Sequence, residues 1–362
     1  MNKKSLYIFN FLATLSMCCY ASEPSNAELF EGKNILILGG TGYLGRAIAE
    51  EVLKYNPKSI TIFSRCEVKH FNLSKTLDTS KLKSTLGDIR DYDAVNSAAR
   101  GMDVVFHAAA LKRMDLLESN VQEAIKTDIV ASINVFNACV NNDVKKVIFI
   151  STDKACLPIN AYGGCKFVSE KIFTNYDPTN IQTKFVVARF GNILQSTGSV
   201  IPIFTDKIKN GEDITLTDKD MTRFIVDKSE AVELIFNALR YGAGGEIFVK
   251  RLAALRVVDL IDVLKENFNA TNVVRTIGLR PGEKMHETLI NSSEMSRAIE
   301  YNNLFIVKPS IPGVFTYTEQ TMPLYMKLGK RVNQALMQEY SSDQAVISKQ
   351  ELTDLFKRLN LL

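Results

Sequence analysis

The sequence contains no tryptophan and, among its 362 residues, only three histidines and six cysteines. It has neither a CxxC pair nor an HExxH motif, which are common signatures of zinc sites. We therefore expect no metal ion and reduced thiols, as in an intracellular protein. Charge of one sign is not in excess either, because 44 basic and 40 acidic side chains give a net charge of +4. This balance predicts no nucleic-acid partner.

The first 30 residues lack the run of about 20 apolar residues that a transmembrane helix requires. Lys3 and Lys4 precede a mostly apolar stretch over residues 6–20, and small residues follow it. Such an arrangement is typical of a secretory signal peptide. Export or a membrane tether is one interpretation of residues 1–30, and a mis-assigned start or a non-functional extension is another. Since the later motifs indicate an enzyme that uses cytoplasmic small molecules, we expect a cytoplasmic location, with membrane association as the alternative.

Short apolar runs alternate with segments of helical periodicity from residue 34 onward. This alternation predicts an α/β fold with a Rossmann-type doubly wound parallel sheet. We expect the sheet in residues 31–192, a smaller substrate-binding lobe interleaved with it over 193–325, and a C-terminal tail over 326–362. The predicted strands are 34–38, 59–63, 84–86, 103–107, 146–151 and 184–189 in the sheet and 214–216 and 222–225 in the lobe, and the longest predicted helix is 121–141.

A glycine-rich turn follows the first predicted strand and begins the first predicted helix. It satisfies the GxGxxG pattern through Gly40, Gly42 and Gly45. Glycines here allow the backbone to approach a pyrophosphate, and the helix N-terminus offers free N–H groups. The pattern therefore predicts dinucleotide binding, a turn without a ligand being the alternative. The predicted cofactor-binding residues of this turn are Gly39, Gly40, Thr41, Gly42, Tyr43, Leu44 and Gly45.

The residues after the second strand favour NADP over NAD. An NAD enzyme usually has Asp or Glu here to bind the ribose hydroxyls, whereas this chain has Ser64 and Arg65, with Lys69 nearby. The Arg65 guanidinium matches a 2′-phosphate in charge and geometry, unless it is simply a solvated surface group. Asp88 follows the third strand and is predicted to bind the adenine amine, a turn aspartate being the alternative. Ile89 and Ala108 are also assigned to the cofactor site.

Tyr162 and Lys166 are four residues apart, so both lie on one face of a predicted helix. A nearby ammonium lowers the pKa of a phenol, which would prepare Tyr162 to accept a proton during hydride transfer. An ordinary helix-surface pair is the alternative. Asp153 and Lys154 follow the fifth strand and offer a second acid and base, or else form a solvated loop pair. We predict that these four residues are catalytic, at the carboxyl end of the sheet.

Six motifs carry a family resemblance: His107–Lys112, Ser151–Ala155, Pro158–Asn160 followed by Tyr162–Gly163 and Lys166, Arg189–Asn192, Met221–Phe224 and Arg280–Glu287. Together they resemble the inverting UDP-N-acetylglucosamine 4,6-dehydratases, which belong to the polysaccharide-biosynthesis group of extended short-chain dehydrogenases. The resemblance covers about residues 32–310. Large membrane-bound members of that group typically carry Met where Tyr162 stands, so Tyr162 favours the small inverting type.

The resemblance implies an NADP-dependent hydro-lyase that converts UDP-N-acetylglucosamine to a UDP-4-keto-6-deoxyhexose for surface polysaccharide or glycan biosynthesis. It implies that Lys154 removes the proton on sugar carbon 5 and that Asp153 protonates the hydroxyl that leaves carbon 6. Tyr162 and Lys166 would serve the hydride step, and a homo-oligomer is expected. The residues assigned to the UDP-sugar substrate are Lys112, Asn192, Arg223, Arg251 and Arg280.

The chain departs from the family pattern at two places. Thr127 and Asp128 stand where a Thr-Asn pair is common, and a buried aspartate costs more than asparagine unless it is paired. Residues 250–253 replace a stretch that usually contains prolines. Three alternatives stay open: a nucleotide-sugar 4-epimerase, which has no need for Asp153 and Lys154; a retaining dehydratase; and a non-catalytic NADP-binding regulator, which has no need for the tyrosine–lysine pair.

Overall fold

A computed structural model of the protein describes residues 23–78, 80–196, 199–311 and 315–362. Residues 1–22, which make up most of the predicted leader, lie outside the described residues. The strands are β1 (Asn34–Leu38), β2 (Ser59–Ser64), β3 (Leu82–Leu86), β4 (Val104–His107), β5 (Lys146–Thr152), β6 (Lys184–Phe190), β7 (Asn192–Ile193), β8 (Ile214–Leu216), β9 (Thr222–Val226), β10 (Ile247–Lys250), β11 (Ala254–Arg256), β12 (Val274–Thr276), β13 (Thr288–Ile290), β14 (Ala298–Tyr301), β15 (Leu304–Val307), β16 (Lys330–Arg331) and β17 (Tyr340–Ser341).

A π-helical segment, Ile125–Val130, joins the helices Val121–Ala124 and Ala131–Asn141. Turns of 3₁₀ helix occur at Asp153–Ala155 and Ser342–Ala345. The helices are α1 (Asn26–Phe30), α2 (Tyr43–Leu53), α3 (Glu67–Ser74), α4 (Tyr92–Ala99), α5 (Met114–Leu117), α6 (Val121–Ala124), α7 (Ala131–Asn141), α8 (Ala161–Thr174), α9 (Val200–Lys209), α10 (Lys228–Tyr241), α11 (Val257–Asn267), α12 (Ser292–Met295), α13 (Leu324–Leu328) and α14 (Lys349–Arg358).

The main sheet has ten strands in the order β16-β14-β15-β10-β6-β5-β4-β1-β2-β3. From β10 to β3, neighbouring strands pair in parallel, whereas β14, β15 and β16 form an antiparallel edge. Central strands such as β1 are continuous apolar runs, which is typical of parallel strands that are covered on both faces. The predicted α/β fold with a Rossmann-type sheet is confirmed.

A second hydrophobic core lies in the smaller lobe, between α9, α11 and α14 and the short strands β8, β9 and β11. Leu352 and Phe356 of α14 are buried in this core. In addition, β17 pairs with β13. The predicted C-terminal tail, residues 326–362, therefore contains α14, whose apolar face packs against α11.

Residues 23–30, the end of the predicted leader, pack against the Rossmann core. The Phe30 ring is fully buried, and its centroid lies 4.6 Å from that of Phe236 in α10. The Glu23 carboxylate accepts hydrogen bonds from the hydroxyls of Tyr241 and Tyr301, which join α10 to the antiparallel edge. The ordered fold therefore begins before the predicted boundary at residue 31. Within the described ranges, no helix is long and apolar enough to cross a membrane.

Candidate active site

A cavity of about 910 Å³ lies where β1, β4, β5 and β6 end and where α9, β9 and α11 of the smaller lobe face the sheet. This is the position at which ligands bind in open parallel sheets. Many of the predicted site residues line it. They are Gly39, Thr41, Gly42, Tyr43, Leu44, Gly45, Lys69, Ala108, Lys112, Lys154, Tyr162, Lys166, Asn192 and Arg223.

The glycine-rich turn allows a close approach between β1, α2 and the end of β4. Gly39 has a φ of +79°, and a Cβ atom there would lie 2.7 Å from the Ala109 backbone. A Cβ atom at Gly45 would lie 2.5 Å from the Gly39 carbonyl oxygen. Gly42 is the N-cap of α2 and provides no side-chain cap for the first N–H groups of the helix, and the first residues of the helix, Tyr43–Gly45, line the cavity. These features fit a bound phosphate group.

The end of β2 lies beside the glycine-rich turn. Ser64 Oγ is 2.8 Å from Thr41 Oγ1, and Gly39 N–H donates to the Phe63 carbonyl oxygen. The Arg65 side chain is 55% exposed and lies 3.6 Å from the Asp88 carboxylate. A guanidinium with this freedom is available to a ligand phosphate at the same edge.

The Asp88 carboxylate forms ion pairs with two arginines, Arg65 and Arg90. Arg90 donates to Asp88 Oδ2 at 2.7 Å, and its hydrogen bonds and charge keep the pKa of Asp88 below its usual range even though burial opposes this. Of the predicted cofactor residues, Gly40, Ser64, Arg65, Asp88 and Ile89 do not line the cavity itself.

Lys166 and Tyr162 lie on one face of α8, as expected from their spacing, and both line the cavity. The Lys166 ammonium donates to the Ile150 carbonyl oxygen at 2.6 Å and lies 4.0 Å from the Phe149 ring centroid. Burial raises the pKa of Tyr162, and the charges of Asp128 and Asp153 raise it further. The expected lowering of the phenol pKa is thus absent, because burial and two carboxylates dominate.

Asp153 and Lys154 form a buried ion pair, not a solvated loop pair. Lys154 Nζ lies 2.9 Å from Asp153 Oδ1, which also accepts from the Thr152 hydroxyl. Within the described part of the chain, Asp153 Oδ2 has no hydrogen-bond partner although it is buried. Burial lowers the pKa of Lys154, but Asp153 and Glu287 outweigh it and raise the pKa above its usual range. Lys154 lines the cavity, whereas Asp153 is fully buried beside it.

Glu287 is a site residue that the sequence analysis did not single out. Its carboxylate lies 3.5 Å from Lys154 Nζ, 3.7 Å from Lys284 Nζ and 4.0 Å from Arg223 Nε. Asn192 Oδ1 also accepts a hydrogen bond from Lys154 at 3.3 Å. Glu287 ends the motif at residues 280–287, so the signal was in the sequence, but its spacing from Lys154 gave no indication of contact.

Two of the predicted substrate residues lie away from the cavity. The Arg251 guanidinium pairs with Glu300 at 3.0 Å and lies over the Phe305 ring. Arg280 is exposed in the turn before β13. Neither side chain lines the cavity. Arg251 differs from the prediction because β10 pairs with β15, which directs the loop after β10 toward the antiparallel edge of the sheet.

Asp128 lies in the π-helical segment and is almost fully buried. Its Oδ1 atom accepts a hydrogen bond from the Leu111 N–H at 3.2 Å, whereas Oδ2 has no partner among the described residues. Burial raises the pKa of Asp128 to about 6, although the Lys166 charge opposes the shift. Asp128 is therefore a buried acid close to the tyrosine–lysine pair.

Residues 35–309 match the family model described as polysaccharide biosynthesis protein. A UDP-N-acetylglucosamine 4,6-dehydratase (inverting) of Campylobacter jejuni is 36% identical over 331 residues, which cover 90% of this chain and 98% of the relative. A UDP-glucose 4-epimerase of Rickettsia bellii is 41% identical over 283 residues, which cover 76% of this chain and 83% of the relative.

The chain is also similar to solved structures. Pen from Bacillus thuringiensis is 38% identical with a TM-score of 0.83, and the match covers 92% of this chain and 99% of Pen. DesIV of Streptomyces venezuelae, a dTDP-glucose 4,6-dehydratase solved with NAD, matches with a TM-score of 0.64 at 20% identity, over 70% of this chain and 86% of DesIV. At that identity, DesIV supports the fold alone.

Proposed function

This chain belongs to the polysaccharide biosynthesis protein family, and we propose that it is an NADP-dependent lyase that removes water from UDP-N-acetylglucosamine with inversion at carbon 5. The match to the family model and the identity to the Campylobacter dehydratase confirm the resemblance that the motifs indicated. The observation that carries the proposal is the buried Asp153–Lys154 pair, of which Lys154 lines the same cavity as Tyr162 and Lys166. The product, a UDP-4-keto-6-deoxyhexose, would enter surface polysaccharide or glycan biosynthesis.

The elimination step needs an acid and a base at neighbouring sugar carbons. Neutral Lys154 removes the proton on carbon 5, and protonated Asp153 gives a proton to the hydroxyl that leaves carbon 6 as water. This reactive form arises when one proton crosses the 2.9 Å hydrogen bond between the two side chains, so the net charge of the pair does not change. A buried pair of unchanged net charge avoids the cost of an isolated buried ion.

The residues around the glycine-rich turn support NADP as the cofactor. Close backbone approach at Gly39 and Gly45 fits a pyrophosphate, and the exposed Arg65 guanidinium fits a 2′-phosphate. The chemistry that NADP supplies when bound is reversible hydride acceptance from the sugar. In its ionised form Tyr162 is the group that takes the proton from the carbon-4 hydroxyl, and Lys166 holds a positive charge one helical turn away.

The charge of the cavity supports a nucleotide-sugar substrate. Among the described residues that line it, seven are basic and none is acidic. This excess suits the combined negative charge of a dinucleotide and a nucleoside diphosphate. The basic lining residues are Arg46, Lys69, Lys112, Arg113, Lys154, Lys166 and Arg223.

A nucleotide-sugar 4-epimerase is the second candidate, and the identity to the Rickettsia epimerase favours it. An epimerase moves a hydride to and from carbon 4 and requires no proton removal at carbon 5. The buried acid–base pair, which such a reaction would leave unused, makes the dehydratase the better proposal.

Proton NMR of the purified protein with UDP-N-acetylglucosamine in deuterated water tests the proposal. We expect a new methyl signal with deuterium at carbon 5 and an arabino-configured 4-keto product. The Lys154→Met variant should lose carbon-5 exchange while it still forms reduced cofactor. A mixture of gluco and galacto epimers without a methyl signal would identify an epimerase, and binding of NADP with no reaction would favour another sugar nucleotide or a non-catalytic role.

We also propose a homo-oligomer. Phe167 and Val168 of α8 are exposed, and so are Ile125 and Ile133 of the adjoining helical segment. The π-helical segment and α7 both pack against α8, and we propose that these exposed side chains form one apolar surface. Exposed apolar side chains that share a region are typical of an interface, and a second copy of the chain presents the same surface.

A further inference from the structure

The Glu287 carboxylate lies 3.5 Å from Lys154 Nζ, and the residue is only 3% exposed. We propose, on the basis of the dehydratase function above, that Glu287 is a positioning residue that holds Lys154 in place and keeps the shared proton on the Asp153–Lys154 pair. The Glu287 carboxylate has three cationic neighbours, Lys154, Lys284 and Arg223, and it acts on the reaction through Lys154.

Two carboxylates balance the positive charges around Lys154. Two other cations, Arg223 and Lys284, lie within 4.0 Å of the same Glu287 carboxylate as Lys154, and burial removes the water that would screen the repulsion among the three. Asp153 and Glu287 are the two carboxylates that offset these charges. Without Glu287, three cations would share a single carboxylate, and the easiest response of the site would be loss of the proton from the pair.

The backbone of Glu287 is held by two hydrogen bonds to Ser342. Its N–H donates to Ser342 Oγ at 2.9 Å, and its carbonyl oxygen accepts from the Ser342 N–H at 2.8 Å. These bonds lie next to the pairing of β13 with β17. The C-terminal segment therefore fixes the backbone of Glu287, and Glu287 in turn restricts the position of the Lys154 ammonium.

The elimination uses the proton that the Asp153–Lys154 pair holds. During elimination the bond between carbon 5 and its hydrogen breaks, and its electron pair forms the second bond of a double bond between carbons 5 and 6. The carbon-6 oxygen takes the electrons of its bond to carbon 6 together with the proton of Asp153, and it leaves as water. Lys154 receives the carbon-5 proton, which restores the ammonium–carboxylate pair seen in the structure. A pair that has already lost its shared proton cannot protonate the leaving hydroxyl, so elimination stops. Retention of that proton is therefore essential.

The charged and titratable groups around Lys154 come from several elements. Asp153 lies on the same turn, Arg223 on β9, Lys284 and Glu287 before β13, and Tyr162 on α8. Removal of a negative charge from this set should make the pair lose its proton at lower pH. Removal of a positive charge should have the opposite effect.

The test is the pH profile of carbon-5 deuterium incorporation with UDP-N-acetylglucosamine and NADP. In Glu287→Gln, the alkaline limb of the profile should move to lower pH by about one unit, as expected for loss of one nearby opposite charge. Formation of reduced cofactor should change little. Glu287→Asp, which keeps the charge, should restore the limb toward its original position, and Glu233→Gln, an exposed carboxylate on α10, is the matched control.

Lys284→Met is a second, independent variant and should move the same limb to higher pH. If Glu287→Gln fails to fold, this variant decides the matter. A limb that stays in place in the folded variants, with only the amount of active protein reduced, would show a merely structural role and overturn the inference. Absence of carbon-5 exchange in the unaltered protein would instead overturn the proposed dehydratase function.

Discussion

The Lys166 ammonium donates a hydrogen bond to the carbonyl oxygen of Ile150, 2.6 Å away at the end of β5. The contact fixes the lysine beneath the cavity, and burial lowers its pKa to about 8. The charge of Lys166 is thus directed at the backbone, and the phenol of Tyr162 keeps a raised pKa. Lys166 acts in this arrangement as a fixed charge at the floor of the site.

Replacement of that fixed charge should impair the hydride step. We expect Lys166→Met to slow formation of reduced cofactor about 100-fold, since the fixed charge supports proton transfer at Tyr162 and a positioned proton-transfer group contributes at least about that much. Transient absorbance of reduced nicotinamide after mixing with substrate measures this rate. Lys171→Met, on the same helix but outside the cavity, is the matched control, and an equal loss in both variants would contradict a specific role.

Arg65 should determine the choice of cofactor. If the exposed Arg65 guanidinium binds the 2′-phosphate as we propose, the Arg65→Ala variant should lose about tenfold in affinity for NADP while its affinity for NAD stays the same. Fluorescence titration with the two reduced cofactors measures both constants. A parallel loss of affinity for NAD and NADP would show that Arg65 supports the fold of the β2 end and does not read the phosphate.

Asp128 should make stability depend on pH. Its pKa of about 6 in the folded protein exceeds its ordinary value, so the folded state binds the proton more tightly than the unfolded state. The free energy of unfolding should therefore fall as pH rises from about 4 to 6 and then stay low.

The Asp128→Asn variant removes this dependence and should be more stable near neutral pH by about 1–3 kcal/mol, the equivalent of up to two pKa units. Urea unfolding of both proteins between pH 4 and 8 measures the difference. Curves that stay parallel over this range would contradict the prediction.

Phe30 should contribute to stability despite its position next to the leader. Its ring packs against Phe236 and Tyr55, so Phe30→Ala should lower the free energy of unfolding by about 3–5 kcal/mol. Phe71→Ala, at an exposed position on α3, is the control and should change it little. Similar values for the two variants, measured by urea unfolding, would show that the segment before β1 is not part of the cooperative fold.

The proposed oligomer should depend on the exposed apolar residues of α8. A Phe167→Lys variant places a charge in that surface and should shift the mass measured by light scattering toward one chain. Phe71→Lys serves as the control for an exposed phenylalanine elsewhere. An unchanged mass in Phe167→Lys, or a single-chain mass in the unaltered protein, would refute this interface.

Local relationships were predictable because backbone geometry alone fixes them. The four-residue spacing of Tyr162 and Lys166 determines that they share a helix face, and the glycines between a strand and a helix determine the tight turn. The alternation of apolar strands and helices likewise determined the parallel sheet. The family resemblance added the roles of Asp153 and Lys154, whose adjacency in the chain already brought them together.

Long-range contacts were decided only by the tertiary structure. Glu287 contacts Lys154 because β13 packs against the 3₁₀ turn that follows β5. Arg251 lies away from the cavity because β10 pairs with β15. The burial of Phe30 and Phe356 also depends on surfaces formed by distant segments. By itself, the sequence determined which residues could do chemistry and which elements form, since these follow from local periodicity. Packing of distant elements decided which charges meet, because ion pairing and burial depend on distances that no local pattern encodes.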